Sequence, residues 1–205
     1  AVMNCDLLIA VGTRFDDRVT GNTTTFARQA KIVHIDIDPA EIGKNVKINI
    51  PIVGDARNVL NELNKRTEVK KNDSWLAEIE KWKMEYIPKP TDGTELVAQT
   101  IIELVYQATG GDAILVTDVG QHQMWAAKYF LCHRPRRWAS SGGLGTMGFG
   151  LPAAIGAQIG NPDQTVVLFS GDGSIMMKIQ ELVTAVNNCL PLKIFVLNNS
   201  YLGMV

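Results

Sequence analysis

The sequence has no excess of charge of either sign and few cysteines. Its 20 Lys and Arg residues balance 21 Asp and Glu residues, and the formal net charge is −1. Because nucleic-acid binding depends on a basic field, no nucleic-acid partner is expected. The 3 cysteines, Cys5, Cys132 and Cys189, form no C-x-x-C pair. This excludes a disulfide scaffold or a cysteine-rich zinc site and favours small, reduced hydrophobic side chains.

Long apolar runs are also lacking, since charged residues and glycines interrupt every hydrophobic stretch. Neither a membrane span nor a signal peptide is therefore expected, and we predict a soluble, cytoplasmic protein without a membrane partner. The chain begins with Ala1 rather than Met, and it stops at Val205 directly after a candidate metal-binding loop. We expect an internal fragment of a longer polypeptide, divided into residues 1–64, a linker at 65–92 and residues 93–205.

Residues 1–64 carry three short apolar segments that predict buried parallel strands, followed by a helix. These segments are residues 6–11, 32–38 and 50–55. Asp36 stands near the end of the second one, where a dinucleotide fold commonly places an acidic residue to hold ribose hydroxyls. The G-x-G-x-x-G fingerprint is absent, and helix capping is the alternative for Asp36 and Asp38. Because Pro39 suits the first position of a helix, we assign Asp38 to the cap and leave Asp36 open.

Residues 65–92 differ in composition from the first unit. A charged stretch is followed by Trp75, Ile79 and Trp82 at helical spacing, and the prolines within 88–90 end the pattern. This predicts a linker that carries a helix. Its tryptophans form either an interaction stripe or a packed contact with a neighbouring domain, and their spacing favours packing.

The second unit opens with a predicted helix at 95–106 and a strand at 113–117. Polar residues 118–123 follow the strand, and His122 stands at the start of the next helix. There the helix dipole would help it to donate to a phosphate, although a structural role is the alternative for a single histidine.

Five glycines occur within the nine residues 142–150. Each glycine costs backbone entropy on folding, so this density indicates a backbone that approaches another group closely. Small residues continue into 153–157, which predicts a tightly packed helix. We favour a cofactor loop that leads into this helix over a merely flexible loop.

Two more buried strands are predicted at 165–169 and 192–197, with an apolar helix between them. Asp172 follows the first strand within Gly-Asp-Gly-Ser, and Asn199 follows the second. Right-handed crossovers bring both carboxyl ends to one edge of the sheet. Carboxylate and amide oxygens suit a Mg²⁺ ion that holds a diphosphate, so we favour a site over an ordinary turn. The predicted fold class is α/β, with two partial parallel-sheet, Rossmann-like units and helices on both faces.

These segments resemble a known family. Gly171-Asp172-Gly173-Ser174 with Asn198-Asn199 at this distance resembles the thiamin-diphosphate motif shared across that superfamily. The stretches 120–125, 141–148 and 202–205 are more specific and resemble the acetolactate synthase (acetohydroxyacid synthase) large-subunit family. Those at 14–21, 34–39 and 54–57 resemble its middle, flavin-binding domain.

The resemblance implies a domain assignment and cofactor sites. Residues 1–64 would be the C-terminal half of the FAD-binding domain, and 93–205 the N-terminal part of the thiamin-diphosphate domain. The implied thiamin-diphosphate residues are Gln121, His122, Gly145, Met147, Gly173 and Ser174. The implied Mg²⁺ ligands are Asp172, Asn199 and the backbone carbonyl of Tyr201. The implied FAD residues are Arg14, Asp36, Ile37 and Asp55.

The resemblance also implies an activity and partners. Family members decarboxylate pyruvate and join it to a second 2-keto acid, giving 2-acetolactate or 2-aceto-2-hydroxybutyrate in branched-chain amino-acid biosynthesis. The activating Glu belongs to an N-terminal domain, so no catalytic residue is assigned here and this chain alone is expected to be inactive. A homodimer or tetramer with the active site between subunits, and a small regulatory subunit, are implied as partners. Lys178 departs from the family pattern, which has a small polar residue there.

Alternatives remain open from the sequence. Pyruvate oxidase or another carboligase shares the thiamin-diphosphate motif. A nucleotide-dependent oxidoreductase would explain Asp36 and the glycine-rich loop, and a non-catalytic assembly domain would explain the tryptophan-bearing linker.

Overall fold

The computed structural model describes residues 1–86 and 95–204. The chain divides into two compact units, Ala1–Pro88 and Lys89–Val205. The prolines predicted to end the linker helix lie outside the described residues, as does Val205 at the end of the last family-specific stretch. The predicted domain boundaries remain predictions.

The first unit contains a parallel sheet of three strands in the order β1-β2-β3. Its elements are β1 (Leu7–Val11), α1 (Asp17–Thr20), β2 (Lys31–Asp36), β3 (Ile50–Val53) and α2 (Ala56–Arg66). Each strand lies within two residues of the predicted apolar segment, but β1 and β3 are mostly exposed rather than buried as predicted. The core of this unit contains Ala10 of β1 and Ile32 of β2. They pack with Phe15, Phe26 and Val46.

Asp38 does not cap a helix as predicted. The residues after Pro39 form turns, and the Oδ1 atom of Asp38 accepts a hydrogen bond from the Ala40 amide at 2.8 Å. Gly43 explains the difference, because its φ of +71° is left-handed and interrupts any helix that begins at Pro39. The side chain of Asp36 also stabilises this turn, since its Oδ1 accepts from the Asp38 amide at 2.9 Å.

The predicted linker helix is present as α3 (Asp73–Tyr86). Its two tryptophan rings, Trp75 and Trp82, contact each other edge to face with centroids 5.5 Å apart. The helical spacing of the two tryptophans therefore brings their rings into contact with each other on the same helix.

The second unit contains a parallel sheet of four strands in the order β5-β4-β6-β7. Its elements are α4 (Ala98–Ala108), β4 (Ile114–Thr117), α5 (Gln121–Tyr129), β5 (Trp138–Ser140), α6 (Gly150–Gly160), β6 (Val166–Gly171), α7 (Asp172–Met176), α8 (Leu182–Asn187) and β7 (Lys193–Leu197). The two middle strands, β4 and β6, are buried along their whole length. This explains why they appear in the sequence as unbroken apolar runs.

Both faces of this sheet are covered by helices. Leu115 and Phe169 point to the face that packs against α4 and α5. Val116 and Leu168, their neighbours along the strands, point to the face covered by α6, α7 and α8. Two parallel sheets with flanking helices confirm the predicted α/β class.

Two details of the second unit differ from the prediction. The helix expected between β6 and β7 is broken into α7, a 3-10 turn at Ile179–Glu181, and α8. The break occurs at Lys178, whose φ of −137° is not helical. Strand β5 was not predicted, because three half-buried residues carry no pattern.

The cysteines are unpaired, as expected, but Cys132 and Cys189 are exposed rather than packed as small hydrophobic side chains. Each lies in a loop after a helix. Within residues 1–86 and 95–204, no helix has the length and apolar character needed to cross a bilayer.

Candidate functional site

The strand order of the second unit creates a crevice at the carboxyl ends of β4 and β6. The chain passes from β4 through α5 to β5 on one side, and then through α6 to β6 on the other side of β4. Helices α5 and α6 therefore lie on opposite faces of the sheet. In open α/β sheets this reversal of strand order is where ligands bind.

Asp118 lies at the floor of this crevice, directly after β4, and is fully buried. Its Oδ1 accepts hydrogen bonds from the amides of Val119 at 2.8 Å and Gly148 at 2.9 Å. Its Oδ2 accepts from the amide of Gly150 at 2.9 Å. Sequence analysis assigned Asp118 no separate role, because the amides of Gly148 and Gly150 that donate to it are remote in the sequence.

His122 is the second residue of α5 and is 4% exposed. Its ring lies beside the backbone of Asp118, and its Nε2 is buried without a partner in the described part of the chain. Burial lowers the pKa of His122 below its usual 6.5, and the negative charges of Asp118 and Asp172 partly oppose this shift. With its hydrogen on Nε2, the neutral ring can donate to an anionic ligand at the start of this nine-residue helix.

Two glycines make room for the His122 ring. A Cβ atom added to Gly120 would lie 2.6 Å from its Cε1, and one added to Gly171 would lie 2.9 Å from its Nδ1. Any side chain at either position would displace the ring. The Gly-Asp-Gly segment therefore contributes to the crevice by its shape as well as by its carboxylate.

Asp172 and Asn199 lie at the same edge of the sheet, as the crossover argument predicts. Gly171 pairs with Leu197 in the register of β6 and β7, so the residues that follow each strand are neighbours. Asp172 begins α7 and is half-buried, and its carboxylate accepts no hydrogen bond from the residues that the structure describes. Its carboxylate oxygens are therefore available to a ligand.

Asn199 also connects this edge to the start of α5. Its Nδ2 donates to the Oε1 of Gln121 at 2.9 Å, and its Oδ1 accepts from the amide of Tyr201 at 3.1 Å. The loop at 199–203 passes so close to Gln121 that Gly203 has no room for a Cβ. Three of the predicted site residues are thus brought together.

Met147 and Gly173 form a second part of the crevice. A Cβ added to Gly173 would lie 3.7 Å from the Cε of Met147 and 2.7 Å from the Cδ2 of Leu202. Ser174 is 2% exposed, and its hydroxyl donates to the carbonyl of Val119 at 2.8 Å. These contacts place an apolar surface beside the polar residues of α5.

Gly145 is the exception among the predicted residues of this unit. It lies in the exposed part of the glycine-rich loop, and a Cβ added there meets no atom within 4 Å. The structure gives no contact that brings it together with the others.

The donor types at this edge suit Mg²⁺. Among the described residues there is no cluster of three or more His, Cys, Asp or Glu side chains that could hold a metal by themselves. The predicted set offers a carboxylate, an amide oxygen and a backbone carbonyl, which are hard oxygen donors. Mg²⁺ typically uses one or two protein oxygens of this kind and completes its shell with phosphates and water.

The predicted flavin residues lie near the carboxyl ends of β1, β2 and β3. Asp36 ends β2, Ile37 follows it and is 72% exposed, and Asp55 follows β3. The Oδ1 of Asp55 accepts from the Asn58 amide at 3.0 Å, so this side chain also caps α2. Arg14 follows β1, and its Nε lies 3.0 Å from the Oδ2 of Asp16.

His34 was missed by the sequence analysis. It is fully buried in β2, with its Nε2 2.8 Å from the carbonyl oxygen of Thr13 and its ring edge to face with Phe15. It fixes the loop that carries Arg14 to the adjacent strand. A single histidine within an apolar strand gives no sequence signal for this role.

Two family descriptions match the chain. "Thiamine pyrophosphate enzyme, central domain" matches residues 1–63, and "Thiamine pyrophosphate enzyme, C-terminal TPP binding domain" matches residues 118–205. The second match includes Asp118, the whole of α5, the Gly-Asp-Gly segment and the asparagine pair.

Similar proteins share about half of their residues with this chain. The probable acetolactate synthase 2, chloroplastic, of Oryza sativa subsp. japonica is 49% identical over 215 residues, covering 100% of this chain and 32% of the relative. Acetolactate synthase 1, chloroplastic, of Zea mays is 50% identical over 212 residues, covering 100% of this chain and 33% of the relative. The acetolactate synthase isozyme 3 large subunit of Escherichia coli (strain K12) is 48% identical over 213 residues, covering 98% and 37%.

The chain thus spans about a third of the length of the relatives that it matches. Two matching domains and this identity over its whole length agree with the strand order and the crevice described above. The chain belongs to the thiamine pyrophosphate enzyme family, and its similar relatives within that family are acetolactate synthases.

Proposed function

We propose that this chain supplies parts of the FAD-binding and thiamin-diphosphate-binding domains of an acetolactate synthase large subunit. The complete subunit would decarboxylate pyruvate and join it to a second 2-keto acid, giving 2-acetolactate or 2-aceto-2-hydroxybutyrate for branched-chain amino-acid biosynthesis. The observation that carries the proposal is the unpartnered, buried Nε2 of His122 at the start of α5, beside the Gly-Asp-Gly segment. The identity to acetolactate synthases supports the choice of reaction.

Gln121 and His122 would hold the diphosphate of the cofactor. His122 offers the buried nitrogen that lacks a partner, and the positive end of α5 favours a negative ligand there. Gly173 leaves the backbone open to close approach, and Ser174 fixes the start of α7 to Val119. The residues present therefore fit a diphosphate group.

Mg²⁺ would be held by Asp172, Asn199 and the carbonyl of Tyr201. The carboxylate of Asp172 has no competing hydrogen bond within the described residues, and Asn199 is already ordered by its contact with Gln121. The phosphate oxygens and water would complete an octahedral shell. The roles of these residues are to place the metal and, through it, the diphosphate.

Met147 would support the ring system of the cofactor, with Gly145 in the same loop. The contact of Met147 and Leu202 with the space at Gly173 provides an apolar surface that would exclude water from the reacting side. When bound, thiamin diphosphate supplies the electron sink that 2-keto acid decarboxylation needs. The protein contributes binding and orientation, and the activating Glu is expected from a domain outside this chain.

FAD would be held by Arg14, Asp36, Ile37 and Asp55. Asp36 uses one carboxylate oxygen for the turn at Asp38, which leaves Oδ2 to accept from a ribose hydroxyl. Its side chain is held beside His34, with Oδ2 4.0 Å from Nε2. The strand ends thus fit a dinucleotide, and the flavin is not required for the net carboligation.

The partners and location of the complete protein are part of the proposal. The Escherichia coli relative is named a large subunit, which supports a small regulatory subunit as partner. We also propose 2-keto acid substrates, a homodimer or tetramer with its active site between subunits, and a cytoplasmic location. The plant relatives are named chloroplastic, so cell fractionation is the test of location.

The test is product identification with the complete subunit that contains this chain. Supplied with pyruvate, Mg²⁺, thiamin diphosphate and FAD, it should form 2-acetolactate, and His122→Ala should lose thiamin-diphosphate affinity. Gln158→Leu is a matched control, since Gln158 is buried at the far end of α6, where its side chain donates to the carbonyls of Asn161, Pro162 and Gln164. Formation of acetyl phosphate or hydrogen peroxide instead would overturn the proposal. The purified 205-residue chain alone is expected to form no acetolactate.

A further inference from the structure

We propose that Asp118 is the positioning residue of this cofactor site: its carboxylate sets the place of Met147 and of the start of α6. This deepens the proposed function and rests on it. Asp118 is fully buried and stands where β4 ends, between the diphosphate side of the crevice and its apolar side. It would contact neither substrate nor cofactor and would act through the segments that it joins.

The glycine-rich loop is fixed at two points that flank Met147. On one side the amide of Thr146 donates to the hydroxyl of Ser141 at 2.9 Å. On the other side the amide of Gly148 donates to the Oδ1 of Asp118 at 2.9 Å. Residues 142–146 are exposed, whereas Gly148 is buried. The loop therefore enters the protein interior at Gly148, where it is bonded to Asp118. The position of Met147 depends directly on that bond.

The second carboxylate oxygen fixes the start of α6. The Oδ2 of Asp118 accepts from the Gly150 amide at 2.9 Å, at a helix start where a negative charge is favourable. A Cβ added to Gly150 would lie 2.8 Å from both Cβ and Oδ2 of Asp118 and 2.9 Å from the Cδ1 of Leu168. The glycine is therefore required for the carboxylate to reach this amide.

Gly148 is constrained from the opposite side as well. Its φ is +85°, and a Cβ added there would lie 3.1 Å from the Cβ of Met177 and 3.2 Å from the Cγ of Lys178. The loop is thus held between Asp118 and the segment that follows α7. This contact also gives Lys178 a structural place beside the loop that carries Met147.

Asp118 also holds the diphosphate side of the site. Its backbone lies beside the ring of His122, and its own amide donates to the carbonyl of Phe169 in β6 at 3.0 Å. Its Oδ1 accepts from Val119, whose carbonyl in turn accepts from Ser174. One residue therefore joins both middle strands, the glycine-rich loop and α6, and lies beside His122 of α5.

The experiment uses the complete subunit with Asp118→Asn. The carboxamide keeps the shape of the side chain but places an NH₂ group against one of the two glycine amides. At least one of these two hydrogen bonds is therefore lost, while the backbone of Asp118 beside His122 is unchanged. Hydrogen bonds to charged groups account for a loss of roughly 10-fold to 100-fold in affinity. We expect thiamin diphosphate to bind in the presence of Mg²⁺ at least about tenfold more weakly, and inorganic diphosphate to be affected much less.

Amide hydrogen exchange and a control variant distinguish a positioning role of Asp118 from a general effect on folding. Hydrogen exchange at Gly148 or Gly150 should accelerate in Asp118→Asn, because at least one of those two amides loses its acceptor. Gln158→Leu removes a buried side chain that binds carbonyls at the other end of α6, so it should lower the unfolding midpoint and leave cofactor affinity unchanged. If both variants lose affinity in proportion to stability, Asp118 has only a structural role and the proposal is overturned.

A second variant covers the case in which Asp118→Asn does not fold. Gly150→Ala keeps the charge but pushes the carboxylate from its place, and it should show the same preferential loss of thiamin-diphosphate affinity over inorganic diphosphate. Unchanged affinity in Gly150→Ala, or in a folded Asp118→Asn, overturns the role of Asp118. Failure of the unsubstituted subunit to bind thiamin diphosphate would instead overturn the proposed function itself.

Discussion

Replacing Gly171 by Ala should place a methyl group against the ring of His122. An added Cβ would lie 2.9 Å from Nδ1 and 3.1 Å from Cε1 of that ring, which is 4% exposed and has little room to shift. The backbone of Gly171, with φ −88° and ψ 163°, suits alanine, so the cost arises from packing alone. Overpacking costs about 1–3 kcal/mol, and the smaller entropy of the unfolded alanine chain returns about 0.4–1 kcal/mol. We expect the free energy of unfolding to fall by roughly 0.5–2 kcal/mol.

Gly156→Ala is the matched control for this substitution. Gly156 lies inside α6, and a Cβ added there meets no atom within 4 Å. Alanine should stabilise the helix there by about 0.5–1 kcal/mol. Urea denaturation of the unsubstituted chain and both variants, followed by circular dichroism, measures the two effects, which have opposite signs.

The affinity for diphosphate in the presence of Mg²⁺ gives a second measure of the effect of Gly171→Ala. It should fall in Gly171→Ala, since the displaced ring carries the buried Nε2, and it should be unchanged in Gly156→Ala. Equal stability of the two variants, or full retention of affinity in Gly171→Ala, would refute the packing of the His122 ring against the Gly-Asp-Gly segment.

Three further predictions concern single residues of the second unit. Lys178 precedes the turn Ile179–Glu181 and makes no side-chain hydrogen bond that caps it. Asparagine can cap such a turn, so Lys178→Asn should raise the free energy of unfolding by roughly 0.5–1 kcal/mol. Urea denaturation tests this, with Lys178→Gln as the control that lacks the cap. Burial lowers the pKa of His122 in the folded chain below its unfolded value of 6.5. The neutral ring therefore stabilises the fold above pH 6.5, and this stability is lost as the pH falls from 6.5 through the lower pKa of the folded state. His122→Gln should therefore flatten the pH dependence of the unfolding free energy between about pH 7 and pH 5, measured by urea denaturation, and an unchanged slope would contradict it. Asp172→Asn should weaken thiamin-diphosphate binding at least about tenfold when Mg²⁺ is present and much less in its absence, as titration with and without EDTA would show.

Except for β5, the strands of both sheets could be predicted because apolar runs indicate parallel strands. Strands β4 and β6 are buried at every position, whereas β1 and β3 are mostly exposed. The break in the helix between β6 and β7 could not be predicted in the same way. Ile179, Leu182 and Val186 keep helical spacing after the break, which depends on the backbone of a single residue, Lys178.

The meeting of Asp172 and Asn199 at one edge followed from the handedness of crossover connections alone. The role of Asp118 did not, because two of its three amide donors, Gly148 and Gly150, are about thirty residues away in the sequence. The partner of His34, the carbonyl of Thr13, is similarly remote and is a backbone atom. Contacts between a side chain and a distant backbone have no residue pattern by which a sequence could reveal them.

The helix cap assigned to Asp38 shows the limit of local signals. Asp-Pro is a typical helix start, and the carboxylate does accept from the next amide but one, Ala40. The same hydrogen bond also closes a turn, and the left-handed Gly43 decides between the two outcomes.

The central claim is that the crevice at the ends of β4 and β6 holds a metal-bound diphosphate. It is tested most directly by a crystal structure of the complete subunit with thiamin diphosphate and Mn²⁺, which substitutes for Mg²⁺ and gives an anomalous signal. One anomalous peak is expected within about 2.0–2.4 Å of oxygen atoms of Asp172, Asn199 and the Tyr201 carbonyl. A phosphate oxygen should lie at hydrogen-bond distance from the Nε2 of His122. A metal peak at another site, or a diphosphate remote from His122, would contradict the account.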